Sequence, residues 1–221
     1  MKRLSTLAAV APYATWMGLM MLLPTSAQSY AVRTAATLAV GLACWLAARA
    51  KSRAADSAGP GGSGEAERAA WPLRRALGVG VAVGLLVWAL WVLPENFGWY
   101  RRFFIIGDVS SSAPSPYDPA VCGWPLTLVR LAGSAFVIAA VEEVFFRGWL
   151  YRWLGADASA FWWTVALFAI EHNRWLAGAA AGAIYGLCAI RCGLPAAIVA
   201  HVTTNLALGL QVVATGGWAF W

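Results

Sequence analysis

The sequence predicts an all-α protein, a bundle of about seven helices (six to eight) that spans a membrane. Composition gives the first two observations: 61% of the 221 residues are hydrophobic and only 12% are charged, and the chain carries 14 tryptophans. Soluble domains hold about 45–50% apolar and about 25% charged residues, whereas tryptophan is enriched at membrane interfaces. This composition excludes a water-soluble globule, a disordered chain and a disulfide scaffold.

The third observation is a series of apolar runs near the length of about 20 residues that a spanning helix needs. The runs cover residues 7–23, 32–48, 77–93, 126–154, 158–172, 175–190 and 195–214. A Gly-rich, charged linker at 51–75 and an external loop at 94–125 interrupt them. We therefore expect N-terminal helices over residues 1–124 and a helical core over 125–215.

The first run has two interpretations. Lys2 and Arg3, the apolar run and the small residues at 25–27 fit a signal peptide that is removed. The length of the run, and Tyr13 and Trp16 inside it, favour a helix that is retained.

Basic residues predict the orientation of the chain. The side that holds the N-terminus carries Lys2, Arg3, Arg49, Lys51, Arg53, Arg68, Arg74, Arg75, Arg147, Arg152 and Arg191. The opposite side carries Arg33, Arg101, Arg102, Arg130 and Arg174. By the positive-inside rule, the N-terminus is expected in the cytoplasm. This asymmetry also explains the formal net charge of +6, so no nucleic-acid partner is expected.

Five ionisable side chains lie within or at the ends of predicted apolar helices: Glu142, Glu143, Glu171, His172 and His201. Such a group at membrane depth costs at least about 2.5–3.5 kcal/mol on insertion scales, so it usually serves a function. The alternative is that these groups are hydrogen bonders that hold helices together. Because the cluster includes both histidines of the chain, the sequence favours a functional site.

The rise of a helix predicts that four polar groups share one chamber. Counted from predicted turns at 155 and 193, Glu143 and Asn205 each lie 12 residues away, His172 lies 17 and His201 lies 8. At 1.5 Å per residue these depths are about 18, 18, 25 and 12 Å. Helix tilt is enough to absorb the differences.

Spacing within each helix predicts distinct roles. Glu143 and Arg147 are four apart with the acid first, the favoured order for a helical ion pair. The side chain of Glu142 points about 100° away from that of Glu143 around the helix axis. It has no ion-pair partner at this spacing, so it is the better candidate for a general base. His201 and Asn205 project from one face as a pair of polar groups suited to a developing oxyanion.

Three motifs carry a resemblance to a known family. They are Glu-Glu-Val-Phe-Phe-Arg at 142–147, Phe-Ala-Ile-Glu-His at 168–172 and His-Val-Thr-Thr-Asn at 201–205. In this order and spacing they resemble the motifs of the CPBP or Abi family, intramembrane proteases that process CAAX proteins and bacteriocins. Glu171 and the run after His172 are also similar to bacterial relatives that accompany exosortase-type protein sorting.

The resemblance implies a glutamic-type endopeptidase, a hydrolase of the CAAX prenyl endopeptidase kind, in the inner membrane of a bacterium. Its expected partners are the lipid bilayer and a protein or peptide substrate that is cut near its membrane-associated C-terminus. By the resemblance, Glu142 activates water, His172 positions it, and His201 and Asn205 stabilise the oxyanion. Glu143 and Arg147 would support Glu142, and Phe168 would line the chamber.

No cofactor is favoured. Zinc is the alternative, with Glu142, His172 and His201 as its ligands. These residues come from three helices and include no i,i+4 histidine pair, which favours a metal-free mechanism. The competing functions are a non-catalytic Abi-type scaffold or immunity protein, and a small transporter or proton-coupled channel.

Overall fold

The computed structural model of the chain describes residues 6–57, 73–105 and 114–221. Their helices are α1 (Thr6–Leu22), α2 (Ala27–Ser57), α3 (Leu73–Val92), α4 (Gly98–Phe104), α5 (Pro119–Cys122), α6 (Trp124–Trp153), α7 (Ala158–Ile170), α8 (Trp175–Cys192) and α9 (Leu194–Thr215). Short 3-10 turns cover Leu93–Asn96 and Trp218–Phe220, and the described ranges contain no strand. The all-α prediction is confirmed.

Five of these helices, α2, α3, α6, α8 and α9, are long and apolar enough to cross a membrane. Helices α1 and α7 are apolar but shorter, with 17 and 13 residues. Each of the seven predicted runs therefore corresponds to one helix, and the chain is a polytopic helical bundle.

The two predicted interruptions differ in part from the structure. Helix α2 continues to Ser57 and α3 begins at Leu73, so both ends of the expected 51–75 linker are helical. Its middle, residues 58–72, lies outside the described residues. The expected external loop at 94–125 contains α4 and α5, and its residues 106–113 also lie outside the described part. Proline at the first turn of α5 and the Asp118 side chain, which accepts a hydrogen bond from the Ala120 amide at 2.8 Å, explain the start of that helix.

Small residues let two pairs of helices in the bundle approach closely. A Cβ at Gly84 on α3 would lie 2.4 Å from the Ala200 carbonyl oxygen on α9, and one at Gly80 would lie 2.7 Å from Val199. On α8, a Cβ at Gly178 would lie 3.2 Å from the Ala169 Cα on α7. Helix α9 thus packs against α3, and α8 packs against α7, at backbone distance.

Helices α8 and α9 are antiparallel neighbours because a single residue, Gly193, connects them. Its φ of +93° lies in the left-handed region that glycine adopts without strain. Pro195 follows in the first turn of α9, where its missing amide hydrogen costs nothing. This turn fixes the level at which α9 presents His201 beside α8.

Helix α6 is continuous but contains two π-helical segments, Gly133–Ile138 and Val144–Leu150, on either side of Ala139–Glu143. In the first segment the Ala139 amide donates to the carbonyl of Ser134, five residues back. Such wide turns are rare and often occur at functional sites. The two glutamates of the first motif therefore lie between two local departures from α-helical geometry.

Helix α1 packs on this part of α6. The Tyr13 ring stacks on Phe145 with centroids 3.9 Å apart, and Trp16 makes an edge contact with Tyr30 of α2 at 5.3 Å. The N-terminal helices are therefore in contact with the predicted core.

Four arginines that the sequence assigned to the two membrane faces instead pack inside the structure. Arg147 is 6% exposed, Arg33 and Arg174 are equally buried, and the Arg130 guanidinium lies 4.3 Å from the Tyr30 ring. Their positions are explained by aromatic and carboxylate neighbours from distant parts of the chain. These four side chains thus carry no information about orientation.

Candidate active site

A cavity of about 260 Å³ lies among the helices. Five of the residues predicted from the motifs line it: Glu142, Phe168, His172, His201 and Asn205. They come from three helices, α6, α7 and α9, whose packing brings them together. The two remaining predicted residues, Glu143 and Arg147, lie behind this wall of the cavity.

Glu143 is fully buried and holds two partners. Its Oε1 accepts a hydrogen bond from Arg147 Nη1 at 2.8 Å and lies 2.9 Å from His201 Nδ1. Arg147 also donates through Nη2 to the Gly182 carbonyl oxygen of α8 at 3.0 Å. The i,i+4 ion pair therefore exists, and it connects α6 with both α8 and α9.

Glu142 points from the same helix into the cavity. Its side chain is 12% exposed, and its Oε2 lies 3.7 Å from His201 Nε2, beyond hydrogen-bond distance. The structure gives this carboxylate no hydrogen bond with another described residue. Glu142 is therefore the less constrained of the two adjacent carboxylates and faces open space.

The contact with Glu143 determines how His201 is protonated. A carboxylate oxygen that already accepts from Arg147 can only accept from the ring, so Nδ1 carries a hydrogen. Nε2 is then directed towards Glu142 and the cavity. The ring is held in this orientation by Tyr185, which stacks on it at 4.7 Å, and by the edge contact of Phe168 at 5.7 Å.

His172 lies two residues beyond the end of the short helix α7. Its Nδ1 lies 2.8 Å from the Phe168 carbonyl oxygen, an acceptor only, so Nδ1 donates and a neutral ring keeps a lone pair on Nε2. Trp91 of α3 and Phe168 contact the ring at 5.3 and 4.7 Å. His172 is therefore fixed in the wall of the cavity with one nitrogen free to accept a hydrogen bond.

Asn205 lies one turn beyond His201 on α9. Its Nδ2 donates to the Ser134 carbonyl oxygen at 3.0 Å, the same carbonyl that closes the first π turn of α6. One amide hydrogen is thus committed to orienting the side chain. The second is available to a group in the cavity, which Asn205 lines.

Sequence reasoning did not assign roles to two further residues, Tyr185 and Thr204. Tyr185 donates to Thr204 Oγ1 at 2.7 Å, and Thr204 donates to the Gly84 carbonyl oxygen of α3 at 2.8 Å. Both side chains line the cavity and are almost fully buried. The signal for Thr204 was its place inside the third motif, but its contact with Tyr185 depends on how α8 and α9 pack.

The proposed zinc ligands Glu142, His172 and His201 all face the cavity, but no group of three or more His, Cys, Asp or Glu within the described ranges has the arrangement of a metal site. Nδ1 of each histidine is already committed, to Phe168 or to Glu143. Only Nε2 of each ring is left as a ligand.

One comparison with known proteins gives a match. Residues 124–207 match the model of the family described as Type II CAAX prenyl endopeptidase Rce1-like. No curated protein and no solved structure matches the chain. The matched segment runs from the start of α6 into α9 and contains all three motifs. The resemblance to the CAAX-processing family is confirmed, whereas the likeness to the exosortase-associated branch stays a prediction. Residues 124–207 are therefore similar to the Rce1-like type II CAAX prenyl endopeptidases, and with its several apolar helices the chain is a multi-pass membrane protein.

Proposed function

We propose that this protein is an intramembrane endopeptidase that hydrolyses a peptide bond near the C-terminus of a membrane-associated protein. The observation that carries the proposal is the pair of adjacent carboxylates in different surroundings. Glu143 is buried between Arg147 and His201, and Glu142 faces the cavity without a hydrogen bond to any described side chain. One carboxylate thus holds the site together while the other is available for chemistry.

In the proposed reaction, Glu142 accepts a proton from a water molecule in the cavity. His172 Nε2 accepts the other hydrogen of that water, which directs a lone pair of its oxygen to the carbonyl carbon of the substrate. The carbon–oxygen bond forms and the carbonyl oxygen becomes negative. Glu142 then gives its proton to the amide nitrogen as the peptide bond breaks.

His201 and Asn205 are proposed to stabilise the negative oxygen. Asn205 has one uncommitted amide hydrogen. In the proposed reaction His201 carries a second hydrogen on Nε2, the ring nitrogen on the side of Glu142. With His201 protonated, Glu142, Glu143, Arg147 and His201 together carry no net charge, which is the favourable state for a buried cluster. Donors fixed before the reaction stabilise an oxyanion without the cost of reorganisation.

The N-terminal helices are proposed to complete the cavity rather than to form a separate unit. Trp16 of α1, Tyr30 of α2 and Trp91 of α3 line it together with the motif residues. We further propose a bacterial inner-membrane location with a cytoplasmic N-terminus. When the four interior arginines are left out, the expected opposite side keeps only Arg101 and Arg102. The N-terminal side still carries more basic residues, which supports this orientation.

The proposal is tested by comparing protein C-termini in cells that express the wild type, Glu142→Gln or Glu171→Gln. Glu171→Gln is the matched control, because Glu171 also lines the cavity but has no part in the proposed chemistry. We expect Glu142→Gln to abolish the new C-termini while the amount of protein in the membrane stays the same, and Glu171→Gln to retain them. An unchanged set of C-termini in Glu142→Gln cells would favour the non-catalytic scaffold.

A further inference from the structure

The cavity extends well beyond the residues assigned to the chemistry. Arg130, Ser134, Ile138 and Glu142 line it at intervals of four along α6. Residues with this spacing share one face of a helix, and 12 residues correspond to a rise of about 18 Å. The cavity therefore follows α6 from Glu142 to Arg130.

Two arginines meet at this far end. The Arg130 guanidinium lies 4.3 Å from the Tyr30 ring centroid, and the Arg33 guanidinium lies 5.5 Å from the same centroid. Tyr117 and Trp221 add further ring contacts to Arg130, at 4.9 and 5.4 Å. The two cations thus contact the same aromatic ring.

This cluster holds two positive charges without a negative one. Among the side chains that the structure describes, no carboxylate forms an ion pair with Arg130 or Arg33. Two buried nitrogens there, Arg130 Nε and Arg33 Nε, also have no hydrogen-bond partner within the described residues. Arg33 is 6% exposed and Tyr30 is 2% exposed.

Aromatic rings compensate only part of the cost of this arrangement. A ring face attracts a cation, but it supplies neither a full negative charge nor a carboxylate oxygen that accepts from the unpaired N–H groups. A carboxylate supplies both the missing charge and two acceptor oxygens, and arginine binds it through two parallel hydrogen bonds. The orphaned groups therefore match a carboxylate in charge and in hydrogen-bond type.

We propose that Arg130, supported by the charge of Arg33 and by Tyr30, binds a carboxylate of the substrate. At about 3.3 Å per residue, an extended peptide covers the 18 Å to Glu142 in about five residues. The subsite therefore fixes how far from this carboxylate the peptide bond is cut. The carboxylate is either the free C-terminus or an acidic side chain. The inference rests on the proposed endopeptidase function. Because the proposed cut lies near the C-terminus, it agrees with the free C-terminus as the source of the carboxylate.

Binding to a Glu142→Gln variant of the full chain, purified in detergent, tests this subsite without hydrolysis. The probe is a fluorescently labelled apolar hexapeptide of alternating Ala and Leu with a free C-terminal carboxylate. Its C-terminal amide and an amide carrying one Glu serve as the other two probes. The affinity of each probe is measured by fluorescence anisotropy for the Glu142→Gln chain. It is also measured for three chains that carry a second change, Arg130→Gln, Arg130→Lys or Arg102→Gln.

We expect the free acid to bind at least about tenfold more tightly than the plain amide. Arg130→Gln should reduce that ratio to about twofold or less, Arg130→Lys should retain part of it, and Arg102→Gln, at an exposed arginine, should retain all of it. Tight binding of the Glu-containing amide would support the subsite and identify an acidic side chain as the source.

Equal affinity of the acid, the plain amide and the Glu-containing amide for the Glu142→Gln chain would overturn the inference without any reference to catalysis. If the chain instead bound phosphatidylglycerol in an Arg130-dependent way in nanodiscs, the anion site would belong to a lipid, and the inference would also fail. Failure of the proposed function has a different readout, which is the persistence of processed C-termini in Glu142→Gln cells.

Discussion

His201 on α9 and Glu143 on α6, 58 residues apart in the sequence, meet at 2.9 Å through Nδ1 and Oε1. This contact joins the second half of the matched segment to the first and decides which ring nitrogen faces the cavity. Because Glu143 is held by Arg147, and Arg147 by the Gly182 carbonyl, three helices are fixed relative to one another by one polar chain. The first motif thus supplies the buried support of the site as well as its proposed general base.

Breaking the buried ion pair is expected to destabilise the fold. Glu143→Gln or Arg147→Met each leaves an uncompensated buried charge, which costs about 3–5 kcal/mol. Removing both partners together should cost less than the sum of the single changes. A double-mutant cycle on thermal unfolding in detergent measures the difference, with Arg152→Met at an exposed arginine of the same helix as the control. Additive losses would contradict the ion-pair interpretation.

The ring of Tyr185 is expected to matter more for turnover than its hydroxyl. Tyr185→Phe removes the hydrogen bond to Thr204, at a cost of about 1 kcal/mol, but keeps the ring stacked on His201. Tyr185→Leu removes the stacked ring and should lower kcat by about tenfold or more, because His201 is no longer held in place. The kcat and KM of both variants, measured on the substrate found by C-terminal analysis, test this. Equal losses of kcat would show that the hydroxyl is the important group.

The close packing of α3 on α9 can be tested with two glycines of the same helix. A Cβ at Gly84 would lie 2.4 Å from the Ala200 carbonyl oxygen, so Gly84→Ala should force the helices apart and weaken the Thr204 bond. A Cβ at Gly78 would meet nothing within 4 Å, and Gly78→Ala should be neutral or stabilise by up to about 1 kcal/mol. Tm values in detergent check both. Equal Tm shifts would argue against close packing.

Activity after exhaustive chelation distinguishes the metal-free mechanism from the zinc alternative. In the proposed mechanism Glu142 and His172 act directly on water, so chelators followed by dialysis should leave turnover unchanged. Turnover that disappears on chelation and returns when zinc is added would overturn the metal-free proposal and would make Glu142, His172 and His201 the proposed ligands.

The proposed orientation predicts opposite accessibilities for two exposed positions. In a variant without the native cysteines, Arg152→Cys should be protected in intact cells from a membrane-impermeant thiol reagent. Arg101→Cys should react from outside. Labelling of Arg152→Cys in intact cells would reverse the topology.

Helix positions and site residues follow from the sequence to different degrees. The apolar runs located the seven long apolar helices, all but α2 to within a few residues, since the bilayer sets the length of a spanning helix. The linker at 51–75 was placed too broadly, because charged and glycine residues weaken a hydropathy signal without ending a helix. The motif spacing also anticipated the Glu143–Arg147 pair, which depends only on helical geometry.

The interior positions of Arg33, Arg130 and Arg174 could not be obtained in the same way. Hydropathy assigns an arginine near the end of an apolar run to the interface, where its charge can reach water. Arg130 instead lies among Tyr30, Tyr117 and Trp221, which come from three distant segments. Arg174 is held by Glu95 and by the Ala219 carbonyl oxygen, from two others.

By itself, therefore, the sequence determined the order of the seven long apolar helices and the candidate site residues. Both depend on local quantities, namely hydropathy, helical period and residue type. Only the tertiary structure decided that His201 contacts Glu143 through Nδ1 and leaves Glu142 without a hydrogen bond to a described residue. It also decided that helices α1 to α3 line the cavity and that it ends at Arg130. These are contacts between segments far apart in the chain, and the packing of whole helices sets their distances.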